Sequence, residues 1–506
     1  MGLYDFTFYD LICRNATAFG DRICWYEADD AQEVSFAEYK AQVDRLAAGL
    51  KNAGVAPGER IGIVGQNSLA FFILYGAAAA IGAIVLPINW RLAADEICFN
   101  LNDGTPRIVF VDETFQPMLE KREGELQTVK QYFNLKADAG VFKTFASLLD
   151  HQEEAVHEPI EADAGLVIIH TAAVAGRPRG ALLSHANVMC ADMHFMQGLR
   201  LGSDDVHLNL LPLFHVAGLF MATAAFHAGA LTVNMNKFDA KQAVDLIDKK
   251  KVTFFFDFPP ILASILEAAD AGAGNIGSLK AVMGLGTAKE ITQFQETTGG
   301  TYYTLYGQTE TSGLATMGPY NDRPGAAGKT IALADVRLVD DLDRPVPAGA
   351  VGEIVVRGPM VFKGYWQLPD DNAYTFRDGW HHSGDLGRFD ADGFLFYAGR
   401  KPEKELIKPG GENVYPAEVE KAILVHPAVA ETVVFGVPHP KWKEGIKAVC
   451  MLHSGQTLTA KALIDFVGER IARFKKPQFV EFVAELPRLD DGTPDRAQIK
   501  TQYGQE

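Results

Sequence analysis

Apolar and polar positions alternate between two rhythms through the first four hundred residues. In FAEYKAQVDRLAAGLKNAG (36–54) apolar residues recur every three or four positions, the spacing of one helix face, whereas RIGIVG just after it is a short continuous apolar run. The segments LVIIHT, LTVNM, VTFFFDF and LKAVMGLG repeat the second pattern, each closed by Gly, Pro or polar residues. This predicts βα units, with parallel sheets covered by helices and ligands gathering at the carboxyl ends of the strands. The apolar stretch from Leu69 to Leu86 is long enough to span a bilayer. Its Ala-rich centre, its interruptions at Gly76 and Gly82 and its strand-like end favour a buried helix followed by a buried strand, with no membrane span.

From Asp335 to Arg400 the pattern changes to short strands and turns, the mark of a small β-rich subdomain. A charged segment, KPEKELIKPGGENVYP, then precedes a compact αβ pattern. The expected fold is α/β, with a large N-terminal lobe (1–400) of two βαβ-type subdomains plus the β-rich subdomain (335–400). A small mobile α+β lobe (401–506) follows, with a hinge near Lys404. A chain of 506 residues exceeds one hydrophobic core, which agrees with more than one lobe.

Composition narrows the partners. The formal net charge of -17 opposes non-specific binding to nucleic acid or to an anionic membrane, so anionic ligands must be held by local basic groups and backbone amides. Cys13, Cys24, Cys98, Cys190 and Cys450 form no CxxC pair and are odd in number, which argues against a disulfide framework or a zinc site and fits a reducing cytoplasm. The acidic start, MGLYDFTFYDLICRN, does not read as a secretory signal, and Phe6 breaks a myristoylation motif. RPGAAGKT (323–330) is no Walker motif, because Arg323 stands where the first glycine is required.

Four segments carry the chemistry. IIHTAAVAGRPRGALLSHANV (168–188) reads as a buried strand, a small-residue loop and a helix. Thr171, Gly176, Arg177, Arg179 and Gly180 would let backbone amides and arginines approach phosphate, although an ordinary surface turn fits the segment equally well. YYTLYGQTETSG (302–313) puts Tyr306, Gln308, Thr309 and Glu310 directly after a strand, a hydroxyl and carboxylate suited to a magnesium-bridged phosphate. Glu310 alone would more often be a solvated helix-start residue. SGDLGRFDADGFLFYAGR (383–400) places Asp385 in a Gly-flanked turn, where it suits either ribose hydroxyls or local capping, and ends on Arg400. KELIKPGGENVYPAEVEKAI (404–423) has a Gly-Gly turn before a helix start.

Taken together and in this order, the four segments resemble the adenylate-forming superfamily, which contains acyl-CoA synthetases, aryl-CoA ligases, peptide-synthetase adenylation domains and beetle luciferases. The resemblance is closest to the AMP-forming acyl-CoA synthetases and runs along essentially the whole chain, with LPLFHVAGL, GEIVVRGPMVFKGYW, HPKWKEGIKAV and FKKPQFVEFVAELPR included. It implies that Thr309 and Glu310 handle phosphate and Mg²⁺, Glu310 as metal ligand, and that Asp385 and Arg400 grip the ribose. Gly286, Gly307, Gln308 and Tyr397 belong to the implied nucleotide site. His215 would wall the acyl pocket and its thiol entrance, beside Phe214, Phe256, Phe258, Gly284 and Leu285. Lys408, Gly411 and Asn413 fall on a loop that swings in for the thiol step, and Lys404 is the implied hinge. The basic clusters KWKEGIK and ARFKKP suit either a solvated face or, through Lys475 and Lys476, the phosphates of CoA.

The expected activity is therefore conversion of a carboxylic acid, ATP and CoA into acyl-CoA, AMP and pyrophosphate, reversible in principle. Peptide-synthetase domains carry Asp where this chain has His215, so the acid lacks an α-ammonium group. The apolar lining suits an aliphatic tail or a ring. No feature calls for a luciferase-type oxygenase, and a homodimer is compatible with the sequence. Two departures stand out. Ala172, Ala173, Val174, Ala175 and Arg179 replace the family's hydroxyl-rich, lysine-bearing phosphate loop. Thr493 occupies the place of the lysine that normally serves adenylation, with Arg488, Lys500 or Lys408 as candidate substitutes. The same departures leave room for a ligase limited to the thioester half-reaction, or for a catalytically weakened binder of acyl-CoA or AMP.

Overall fold

The structure is a computed structural model in which residues 2–3, 5–136, 141–150, 158–174, 177–401, 406–489 and 493–504 are described. Two large sheets form the first lobe, and most neighbours in them are parallel. One has eight strands, in the order 364–365, 177–184, 165–174, 84–88, 60–64, 108–111, 131–134 and 143–144. The other has nine and runs 329–330, 316–319, 301–306, 281–284, 254–257, 206–209, 231–234, 23–27 and 33–35. The run Leu69–Ile81 is a helix stripped of solvent along nearly its whole length. Ser68 caps its start, and Gly82, at φ 68°, ends it in the left-handed conformation that glycine enters without a Cβ penalty. The buried strand Ile84–Ile88 follows directly. No helix among the described residues is long and apolar enough to cross a membrane.

A four-stranded antiparallel sheet, 335–339, 352–357, 381–389 and 395–400, sits on the first lobe. Its register places Asp385 directly opposite Arg400. Beyond it, the smaller C-terminal domain has a three-stranded sheet, 429–439, 443–452 and 479–483, with its own apolar clusters around Val434, Ile446 and Leu463 and around Phe435, Val449 and Ile499. The expected α/β class with a large and a small unit is thus present. The expected hinge residue, Lys404, lies outside the described residues, as does Gly176.

One expectation fails locally. Residues 168–188 do not run from strand through loop to helix. Gly165–Val174 turns back antiparallel into Arg177–Ser184, and the helix starts only at His185. The second strand is held on its far side by Gly364–Tyr365, a pairing from outside the segment that offsets the weak strand tendency of RPRG. Ser184 and Asn187 form the capping box that fixes where the helix begins.

The two lobes are tied by charge. Lys475, 5% exposed, donates to Glu96 of the large lobe at 2.6 Å and to Glu418 of its own lobe at 2.7 Å, and the Ala472 amide also donates to Glu96. Burial alone would lower the Lys475 pKa, but the two carboxylates outweigh it and raise it. Lys475→Met leaves two carboxylates facing each other with no cation between them. It should lower the unfolding free energy by about 3 kcal/mol, read as a fall in the urea midpoint, and an unchanged midpoint would refute this account of the tie.

Candidate active site

The second large sheet delivers its strand ends to one cleft. Phe254–Asp257, Ala281–Gly284 and Thr301–Tyr306 end side by side, and the segments after them wall a cavity of about 1040 Å³. His215, Phe256, Phe258, Gly284, Leu285 and Gly286 line it from the large lobe. So do Tyr306, Gly307, Gln308, Thr309, Asp385, Tyr397 and Arg400. Lys408 and Asn413 reach it from the small lobe. Residues far apart in the sequence therefore meet, because the antiparallel subdomain carries Asp385 and Arg400 to the parallel strands' carboxyl ends.

Asp385 is the centre of this wall. It is 2% exposed, and its Oδ2 accepts from the Tyr306 hydroxyl at 2.9 Å and from Gln308 Nε2 at 2.6 Å. Arg400 Nε lies 3.1 Å from Oδ1. Burial works against the Arg400 charge, but Asp385 outweighs it and raises the guanidinium pKa. The half-exposed Tyr397 ring stacks on Tyr306 with centroids 6.3 Å apart, leaving a flat aromatic surface beside the carboxylate. A carboxylate fixed on one side, next to a free ring face, is equipped to hold a sugar hydroxyl and a planar base.

A side cavity of about 80 Å³ adjoins it, lined by Thr171, Arg179, Thr309, Glu310, Tyr365 and Lys408. Arg179 stacks over the Tyr365 ring at 3.9 Å, donates to Asp371 at 2.7 Å and to the Tyr365 hydroxyl at 3.1 Å, and that hydroxyl donates to Glu310 at 2.8 Å. The arginine at the phosphate-loop position is thus anchored in a platform that also orients Glu310. Oxygen donors Thr309 and Glu310 beside two cations are the donor set a magnesium-bound phosphate requires.

The small lobe contributes the opposite wall. Gly410 has φ 60°, and a Cβ there would meet the Trp442 ring at 2.7 Å, so only glycine lets this loop lie flat on the tryptophan. The next residues place Glu412 against the large lobe. Its carboxylate takes Arg91 at 2.6 Å and Asn89 at 3.1 Å and lies 3.5 Å from His215 Nε2. Burial would raise the Glu412 pKa, but His215 and Arg91 prevail and hold it at about 2. It therefore stays charged, and the stability it contributes is present above its ordinary 4.5 and lost as pH falls toward about 2.

Lys408 opens onto both cavities, its backbone amide fixed by Glu444 at 2.6 Å. Desolvation by the cleft walls, then the Arg400 charge, lower its pKa from 10.5 to about 8. Water reaching the open side chain screens part of this depression. Between pH 8 and 10.5 the unfolded chain keeps this proton longer than the folded one, so the group adds stability as pH rises through that window. Any step that uses the ammonium weakens over the same range. AMP affinity should accordingly fall as pH rises past about 8, and Lys408→Arg should move that limb upward in calorimetric titrations. An unmoved limb would remove Lys408 from the nucleotide site.

Other expected residues fall elsewhere. Phe214 is buried behind His215, rings 4.6 Å apart. Gly180 packs on Ile168 under the hairpin. Lys475 is committed to the ties described above, and Lys476 stands outside the cavity wall. The side chain of Arg177 and the surroundings of Gly411 are not among those described. Thr493 is exposed and stands outside the cavity wall, and Arg488 is turned to Glu431 at 2.7 Å. Arg496 and Lys500, on the last helix, do line the cavity. Sequence reasoning missed Glu412, Arg91, Tyr365, Asp371 and Lys443. Of these, Glu412, Tyr365 and Lys443 lay inside segments already marked, GGEN, GEIVVRGPMVFKGYW and HPKWKEGIKAV, without being singled out there.

Asp343, Glu353 and His382 bring ligand atoms within 4.8 Å of one another. Arg377 and Lys401 already occupy that cluster, at 2.7 Å from Asp343 and 2.9 Å from Glu353, so it reads as a neutralised ion network.

Residues 12–366 match the AMP-binding enzyme family and residues 418–492 match the AMP-binding enzyme C-terminal domain. The chain belongs to the AMP-binding enzyme family. It is 34% identical over 467 residues to an indoleacetate–CoA ligase of Aromatoleum aromaticum, covering 90% of this chain and 91% of that one. It is 31% identical over 478 residues to a feruloyl-CoA synthase of an Amycolatopsis species, with 93% and 94% covered. A solved o-succinylbenzoate CoA synthetase of Bacillus subtilis superposes with a TM-score of 0.85 at 27% identity, over 97% of each chain.

Proposed function

We propose that this enzyme is an AMP-forming acid–thiol ligase acting on a carboxylic acid without an α-ammonium group. The observation that carries the reading is Asp385, buried between Tyr306, Gln308 and Arg400 on the wall of a cavity large enough for an adenylate and an acyl group. In the first half-reaction a carboxylate oxygen attacks the α-phosphorus of ATP, the bond to the β-phosphate breaks and pyrophosphate leaves. Asp385 and Tyr397 hold the nucleoside, and Arg400 and Lys408 face the charge that develops. Thr309 and Glu310 would hold Mg²⁺, which neutralises phosphate charge when bound. In the second half-reaction the thiol sulfur of CoA attacks the acyl carbon and AMP leaves. The thiol proton passes to His215, which Glu412 orients from the small lobe. Gly411, Asn413 and Lys476 remain candidate contacts for CoA.

The domain reading is part of the same proposal: a lobe of residues 1–400 and a mobile lobe of 401–506, turning near Lys404 between the two half-reactions. The paired rings of Phe256 and Phe258, 5.2 Å apart in the cavity wall, favour a ring-bearing acid. Two relatives are named for indoleacetate and feruloyl substrates. A panel of aromatic, alicyclic and aliphatic acids, assayed for AMP and pyrophosphate release and in reverse from acyl-CoA, AMP and pyrophosphate, tests the reading. No turnover in either direction with any acid would leave a binder of AMP or acyl-CoA. The lack of a cation at Thr493 favours one narrower version, a ligase that is slow in adenylation and competent in the thiol step.

A further inference from the structure

Lys443 opens the strand Lys443–Leu452 at φ 62°. That is the left-handed region, open to glycine and costly for lysine, and such a conformation persists where the surroundings impose it. The side chain leaves the small lobe, lines the cavity and donates from its ammonium to the carbonyl of Leu285 in the large lobe. That carbonyl belongs to the acyl-pocket wall, which is tied from behind as well. The Leu285 amide donates to the Asp257 carbonyl at 3.3 Å, and the Gly286 amide donates to the Tyr302 hydroxyl. The Tyr302 hydroxyl in turn donates to Asp257 Oδ2 at 2.9 Å. Burial lowers the Lys443 pKa from its ordinary value, and the carboxylates of Glu290 and Asp257 offset part of that loss.

We propose that Lys443 is a positioning residue for the thiol step, fastening the pocket wall at Leu285 to the small lobe so that the acyl group is held in place while the loop 408–413 faces it. The inference rests on the acid–thiol ligase reading. A lysine in a backbone conformation that suits glycine needs a compensating contact, and what its side chain reaches is a carbonyl on the other lobe, at the wall of the cavity.

The test uses the full-length protein with a chemically made acyl-adenylate and CoA, which bypasses adenylation. Lys443→Gly relieves the backbone conformation, so its melting temperature should equal or exceed that of the unaltered protein. Lys443→Gly and Lys443→Met should nevertheless lower kcat for acyl-CoA formation about tenfold, the worth of one charge-assisted hydrogen bond, with KM for the adenylate changed less than about twofold. Lys443→Arg, which keeps the donor, should recover most of the rate. The role is overturned if kcat is unchanged in the Gly and Met variants, if KM shifts in place of kcat, or if Lys443→Arg is as slow as Lys443→Met. An unaltered protein that makes no acyl-CoA from any adenylate overturns the ligase reading and this role with it. Normal turnover with indifferent variants overturns the role alone.

Discussion

Asp385→Ala should weaken AMP binding by a factor of about 100 or more and bring acyl-CoA formation close to background, because three groups lose their partner at once. The hydroxyl of Tyr306 loses its Asp385 acceptor, the amide of Gln308 keeps only the Ser383 carbonyl, and Arg400 loses its counter-charge. An unpaired buried guanidinium costs about 3–5 kcal/mol, so this variant is expected to melt earlier as well. Asp385→Asn separates the two effects. It preserves volume and one acceptor oxygen, so the fold should survive, while an amide replaces the carboxylate proposed to meet the ribose. Calorimetry with AMP beside a thermal melt reads both, and a folded Asp385→Asn protein that binds AMP unchanged would exclude the ribose role.

Thr493→Lys should raise the rate of pyrophosphate exchange by about a hundredfold, with little effect on acyl-CoA formation from a preformed adenylate. The reasoning is electrostatic. A cation aimed at the oxygens where charge develops contributes about 10² to 10³ in rate, and Thr493 supplies none. Its carbonyl accepts the Leu489 amide at 2.8 Å and its side chain is exposed, so a lysine can be introduced without disturbing a packed core. Lys408 and Lys500 already line the cavity and are the candidate substitutes. Should exchange in Thr493→Lys stay the same or fall, the site is not depleted, and one of those two lysines carries the charge.

The fold class was readable because strand and helix periods differ and because the buried strands end abruptly in Gly, Pro or polar residues. The cavity wall around Asp385 was readable from motifs in which a few residues stand at fixed intervals. The missed contacts share a cause. Glu412 looked like part of a turn, and only the folded chain places Asn89, Arg91 and His215 around it. Lys475 looked like a solvated lysine, since Glu96 lies in the other lobe. The second strand of the hairpin was hidden by Pro178 and Gly180, which disfavour a strand until Gly364–Tyr365 pairs with it. Lys443 gives no local sign of its left-handed backbone, because that conformation is imposed by its surroundings.

Glu412 has one more implication. If the small lobe swings as proposed, every turnover must lift a carboxylate off a guanidinium and an imidazole and return it to water. Hydration recovers part of that loss and dissolved ions recover more, so the lobes should part more readily in concentrated salt than in dilute buffer. A residue that sequence reading left unremarked thereby makes the pace of the cycle sensitive to the ionic medium around it.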